Sequence, residues 1–179
     1  MGGADCVVRL SWEGFAALCR HLAEQVATDY QPDLVVGVAR GGTLPGTVIA
    51  LLLRRDFQSL RVPVDGSPPT LPAYLPAEEL IADRRVLLVD ERAPDDSALR
   101  WSVEALLGLG SREVRTLTLF ADGRGTAHYA GPEVTVPVLQ PWIRDAIVTR
   151  TALPDVRPSG RPNEQQTPPA PARSSPTRT

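Results

Sequence analysis

Apolar residues run unbroken from Val86 through Leu87 and Leu88 to Val89, then stop at two carboxylates, Asp90 and Glu91. A strand covered on both faces reads as continuous Val and Leu, so this run predicts a central strand of a parallel sheet. Leu34-Val35-Val36-Gly37-Val38 predicts another. Elsewhere the period changes. Phe15, Leu18, Leu22 and Val26 recur at helical spacing behind Ser11, a residue suited to cap a helix, and Pro32 closes the connection that follows. Pro45 suits the first turn of a helix running through Val48, Ile49, Leu51, Leu52 and Leu53 to Arg54-Arg55. That helix is apolar around most of its circumference, which predicts deep burial. Residues 97–109 predict a helix with Leu99, Val103, Leu106 and Leu107 toward the core, Trp101 packed on one face and Gly110 as terminator. Strands are expected at 59–64, at 114–120 and at 134–139. The first of these belongs near an edge, because Pro63 cannot donate in a central ladder, and the last is also expected at an edge.

Helices alternating with buried strands predict an α/β domain with a mainly parallel central sheet flanked by helices. A long proline-rich stretch without period, residues 65–76, interrupts it as a loop, of a length common in lids and binding loops. From Pro154 onward Pro, Ser, Thr, Arg and Gln dominate, and such a composition cannot bury enough surface to offset its ordering entropy. The expected division is therefore a folded domain over residues 1–153 and a disordered tail over 154–179.

Composition narrows the function. The 179 residues carry a formal net charge of −2 with both signs mixed, which argues against a nucleic-acid binder with a basic face. No apolar run is long enough to span a bilayer and the first residues lack a signal-peptide pattern, so a cytoplasmic location is expected. Cys6 and Cys19 have no metal-ligand or disulfide spacing, and Cys19 falls on the apolar face of the first helix, where it packs. All 19 residues of the Lys+Arg class are arginine. Schiff-base chemistry on lysine and the Walker-type phosphate lysine are thereby excluded, whereas guanidinium forks remain available for phosphate or carboxylate. His21 on the first helix reads as structural, and His128 has neither a base nor a nucleophile paired with it.

Two loops can carry chemistry. Ala39-Arg40-Gly41-Gly42 follows a buried strand and precedes a helix, so its amides, the helix N-terminus and the Arg40 fork can form an anion nest; a glycine-rich turn without a ligand is the plainer reading. Asp90 and Glu91 stand at a strand's carboxyl end, where open α/β sheets bind ligands, and can accept sugar hydroxyls or help hold Mg²⁺; a solvated acidic turn is again the plainer reading. Ser97 can cap the helix beyond them.

Taken together, these segments resemble the type I phosphoribosyltransferases, in particular the xanthine–guanine and hypoxanthine branch, over roughly residues 11 to 145. The run from Pro32 to Gly42 is similar, almost residue for residue, to that family's diphosphate loop. Val86 to Glu91 resembles its apolar strand with paired acids. Gly110 to Leu119 resembles the segment entering the next strand, and Pro141-Trp142 the late aromatic motif near the purine. The resemblance implies that Ala39, Arg40, Gly41 and Gly42 bind the diphosphate of PRPP, with a non-proline cis peptide near Ala39-Arg40. It implies that Asp90 and Glu91 contact the ribose hydroxyls and Mg²⁺, and that Arg124 and Trp142 lie toward the base. The partners so implied are a sugar diphosphate donor and a purine-like base, with neither nucleic acid nor membrane; a homodimer is compatible with it.

Two features depart from the family pattern: the family's purine-binding lysine is absent, with Arg124 in that region but not at a matching position, and the phosphate loop is altered. The 5′-phosphate loop of the family ends in Thr-Gly-x-Thr, and the matching positions are Asp95, Asp96, Ser97 and Ala98. Only Ser97 retains a hydroxyl. A carboxylate about 4 Å from a phosphate charge costs roughly 4 kcal/mol at an effective dielectric of about 20, worth about a thousandfold in affinity. Arg92 or Arg100 can neutralise the aspartates, or the aspartates can face outward and complement the helix dipole. Three readings stay open: a transferase using PRPP, a transferase using a donor that lacks the 5′-phosphate, and a non-catalytic module that keeps the fold for regulation or partner binding.

Overall fold

The computed structural model describes residues 7–62, 73–92, 97–121, 123 and 127–144. Five parallel strands form the central sheet in the order β3-β2-β4-β5-β6: β2 (Leu34–Val38), β3 (Asp56–Leu60), β4 (Arg85–Asp90), β5 (Glu113–Thr118) and β6 (Tyr129–Ala130). A separate pair, β1 (Val8–Arg9) with β7 (Val138–Leu139), is also parallel. The helices are α1 (Trp12–Asp29), α2 (Thr43–Leu53), α3 (Glu78–Ile81), α4 (Ser97–Gly108) and α5 (Pro141–Arg144). The described residues fall in one unit, Met1–Arg144; the predicted domain boundary at 153 and the predicted tail lie outside the described residues. The same holds for most of the proline-rich loop.

The apolar runs become central strands for the expected reason. Val86, Leu87, Leu88 and Val89 have no exposed surface, and alternate side chains enter two cores. Leu87 and Val89 pack with Val35, Ile49 and the α1 residues Phe15, Leu22 and Val26. Val86 and Leu88 pack with Val36, Ile81, Leu99 and Leu106 on the other face. Each such burial contributes about 1.5–3 kcal/mol. Ser11 caps α1, accepting a hydrogen bond from the amide of Gly14 at 3.0 Å. Cys19 lies fully inside this core, and burial pushes its thiol up to about 12, as suits a packing residue. At the amino ends of the strands, Asp33 accepts from Arg85 through both guanidinium and backbone, at 3.0–3.3 Å, and this pairing holds its carboxyl at about 2. The Tyr30 hydroxyl donates to the carbonyl of Val86 at 3.1 Å.

Tertiary packing changes several expectations. α2 is not buried all round: Leu51 is 73% exposed, because the sheet covers one stripe of the helix and α1 another, leaving a third face open. On α4 the buried stripe runs through Leu99, Ser102 and Leu106, so Leu107, 50% exposed, and Trp101 fall outside it. The edge strand β3 begins at Asp56, two residues after Arg54 ends α2 in the left-handed region, rather than at residue 59. The expected strand over 134–139 shrinks to Val138–Leu139 and leaves the main sheet for β1. The edge beside β5 is taken instead by β6, whose two residues are too short to show a period.

Gly42 is one position where the fold leaves no space for a side chain. A Cβ there would lie 2.1 Å from the carbonyl oxygen of Val89 and 2.8 Å from the amide of Val38. At Gly108, near the end of α4, a Cβ would meet nothing within 4 Å. Gly42→Ala is expected to lower unfolding free energy by more than about 3 kcal/mol, whereas Gly108→Ala raises it by about 0.5–1 kcal/mol, as urea denaturation of the two variants would measure. Equal effects would contradict this packing.

Candidate functional site

Strand order places the site. From β2 the chain passes through α2 to β3 on one side, then returns to β4 on the other, so β2 and β4 are neighbours at the point where the winding reverses. Ligands of open α/β sheets bind outside the carboxyl ends of strands at such a point. Register completes it: Gly37 pairs with Val89, which brings the turn after β2 level with Asp90 and Glu91.

The turn itself is tight. The amide of Ala39 donates to Leu60 at 2.7 Å, that of Gly42 to Val38 at 2.8 Å, and that of Thr43 to Arg40 at 3.2 Å. The Ala39–Arg40 peptide is cis, as the sequence comparison with the family anticipated. Gly42 rests on the backbone of β4, and Gly41 faces the acids. A Cβ on Gly41 would stand 3.0 Å from Glu91 Cβ, 3.1 Å from Glu91 Oε2 and 3.5 Å from Asp90 Oδ1. The arginine-bearing glycine turn and the paired acids therefore meet in one place. Arg40 is exposed beside them.

Both acids have a fixed backbone, because Leu119 donates to the carbonyl of Asp90 and Phe120 to that of Glu91, each at 3.0 Å. Asp90 is only 9% exposed, and its Oδ1 accepts from the amide of Glu91 at 2.7 Å. Burial pushes its carboxyl up to about 7; the amide bond pulls the other way, and the neighbouring Glu91 charge adds to the rise. Among the described residues neither acid has an ion-pair partner.

Two further residues reach this region: Gln140, which no local pattern marked, and Arg92, which the sequence offered as a counter-charge to Asp95 and Asp96. The side-chain amide of Gln140, itself 1% exposed, donates to Glu91 Oε1. Arg92 donates through Nη2 to the carbonyl of Val134 and, at 3.5 Å, to that of Val136, so its fork is engaged with the chain before β7. Both depend on contacts more than forty residues away in sequence, and no spacing could reveal them. Trp142 is partly buried in an aromatic cluster, its ring centroid 5.1 Å from Phe15 in a T-shaped arrangement and 5.9 Å from Trp12. Ser97 opens α4. Asp95, Asp96 and Arg124 lie outside the described residues. His21 is on the exposed face of α1 against Gln25, and His128 Nδ1 accepts from the amide of Thr116 at 3.1 Å.

No group of three or more metal-ligating side chains occurs among the described residues. Asp90 and Glu91 are two adjacent carboxylates, the number by which Mg²⁺ is commonly held alongside phosphates, and they are the residues that would hold one. A Cβ at Gly41 would crowd Glu91 at 3.0–3.1 Å, so the glycine is what lets the turn lie this close to both carboxylates.

Asp90 binds a proton in the folded chain that the unfolded chain has already released between about pH 4 and 7, so its contribution opposes folding as pH rises through that window. Asp90→Asn removes the penalty and keeps the acceptor for the Glu91 amide. Urea denaturation of the ligand-free protein should find the variant more stable by roughly 2–4 kcal/mol at about pH 8 and equal to the parent near pH 4. A difference independent of pH would refute the assignment.

The chain matches the phosphoribosyl transferase domain family over residues 10–152. Among solved structures it is similar to a purine phosphoribosyltransferase from Pyrococcus horikoshii Ot3, with TM-score 0.65 and 23% identity, covering 76% of this chain and 93% of that one. It is similar at the same TM-score to a Neisseria gonorrhoeae hypothetical protein solved with bound ppGpp, at 14% identity over 82% and 93% of the two chains. A Helicobacter pylori xanthine-guanine-hypoxanthine phosphoribosyltransferase likewise superposes with TM-score 0.65, 17% identity and coverage of 78% and 95%. At these identities the likeness is one of fold. No curated protein matches the chain. No helix among the described residues is long and apolar enough to cross a membrane.

Proposed function

We propose that this chain, which belongs to the phosphoribosyl transferase domain family, transfers a ribosyl group from PRPP or a related sugar diphosphate to a purine-like base. What supports this reading is the close approach of Gly41 to both Asp90 and Glu91, which brings the glycine turn and the acid pair together. The donor's diphosphate lies on the turn of Ala39, Arg40, Gly41 and Gly42. Backbone amides and the Arg40 fork stabilise the charge that develops as diphosphate leaves the anomeric carbon. Asp90 and Glu91 accept hydrogen bonds from the ribose hydroxyls and orient the sugar for attack by the base. Asp90 and Glu91 would also hold Mg²⁺, which would supply further neutralisation of the leaving diphosphate. On the acceptor side the reading assigns the base to Trp142, whose ring is not wholly enclosed by Trp12 and Phe15, and to Arg124.

A second reading keeps the transfer and changes the donor. Asp95 and Asp96 stand in the sequence where the family carries hydroxyl and glycine donors to a 5′-phosphate. Carboxylates repel phosphate and accept sugar hydroxyls, which favours a donor without the 5′-phosphate.

Calorimetric titration separates these readings. PRPP–Mg²⁺ and diphosphate–Mg²⁺ both binding is the expected outcome. Diphosphate binding alone favours the second donor. Binding of neither overturns the transferase reading in favour of a non-catalytic module. The joint variant Asp90→Asn/Glu91→Gln should weaken PRPP–Mg²⁺ by more than about tenfold while retaining the parent's cooperative thermal transition, and unchanged affinity would remove both acids from the site.

A further inference from the structure

Gln140 is the most deeply buried polar side chain at the paired acids, and its placement is over-determined. The preceding Leu139 is paired with Arg9 in the small sheet and accepts from the amide of Leu10 at 3.0 Å. Pro141 starts α5 directly after it, and the Gln140 carbonyl accepts from Ile143 at 3.1 Å. Arg92 holds the same segment from the other direction, through the carbonyls of Val134 and Val136. Residues 91 and 92 thus each grip the chain that ends in Gln140.

A buried amide needs a polar reason, since leaving such a group unpaired costs about 1–3 kcal/mol. For Gln140 that reason is a single contact. Its Nε2 donates to Glu91 Oε1, while its own Oε1 has no partner among the described residues. The other Glu91 oxygen, Oε2, lies on the Gly41 side, 3.1 Å from where a Cβ of Gly41 would stand. Glutamate has several rotatable bonds and loses up to about 1.5–2 kcal/mol of rotamer freedom when fixed. Gln140 pays that ordering cost in the fold, before any ligand arrives.

We propose that Gln140 is a positioning residue: its side-chain amide holds one oxygen of Glu91 so that the other is presented to the ligand over the Gly41 turn. The proposal rests on the reading of Asp90 and Glu91 as ligand carboxylates and adds the residue that sets their geometry. Gln140 itself does not touch the reacting atoms.

The test is a double-mutant cycle on the full chain with PRPP–Mg²⁺ as the calorimetric probe. Gln140→Met keeps the volume and removes the donor. It should weaken PRPP–Mg²⁺ about tenfold in the parent and less than about twofold in the Glu91→Gln background, because a residue acting through Glu91 has nothing left to position there. Equal losses in the two backgrounds, or parental affinity in Gln140→Met, overturn the proposal. A ¹⁵N correlation spectrum gives a readout that packing alone would not move. The Gln140 side-chain amide pair, assigned by its disappearance in Gln140→Met, should shift in Glu91→Gln; an unshifted pair overturns the contact. Failure of the functional reading is distinguishable. If Asp90→Asn/Glu91→Gln binds PRPP–Mg²⁺ like the parent, the acids are not ligand groups, whatever the amide pair does.

Discussion

The structure depends on one steric constraint, the seating of Gly42 against the carbonyl of Val89. Two strands that are neighbours in the sheet but far apart in sequence each end in a loop. Only the absence of a side chain at Gly42 lets the first loop lie directly on the second strand, and only then does Gly41 face Asp90 and Glu91. A methyl group at Gly42 would push the turn away from the acids and separate its amides from the carboxylates of Asp90 and Glu91. The polar contacts at the opposite end of the sheet, Asp33 with Arg85 and Tyr30 with Val86, tie the amino ends of β2 and β4 together. The carboxyl ends are thereby left to be organised by close packing.

Electrostatics at that end work against folding. Asp90 is buried next to another acid, and neither has an ion-pair partner among the described residues. Fixed backbone hydrogen bonds from Leu119 and Phe120 keep both acids in place regardless. Such unneutralised acids are stabilised by anything that brings positive charge or hydroxyl donors, which is the chemistry of a sugar bound with a divalent cation.

Much of the fold was legible because burial on both faces leaves an unambiguous mark. The runs 34–38 and 86–89 could be placed as central strands, and α1 could be placed by the spacing of Phe15, Leu22 and Val26 behind its Ser11 cap. The failures occurred where a pattern is shared by two environments. An all-apolar helix is expected to be enclosed, yet Leu51 on α2 is open because too few elements surround it. The stretch before Gln140 alternates like an edge strand, yet only Val138–Leu139 pair, and with β1. Two-residue β6 has no period to detect.

By itself the sequence determined the element types, the two loops, the residue chemistry they carry and the resemblance to a family, because these follow from local order and from side-chain type. Tertiary structure decided how the parts are joined. That Gly41 lies against Glu91, that Arg92 reaches Val134, and that Gln140 turns its amide onto an acid forty-nine residues earlier are consequences of strand order and packing. Contacts of this kind are set by which surfaces exclude water together, and that information is spread over the whole chain rather than written at the residues that meet.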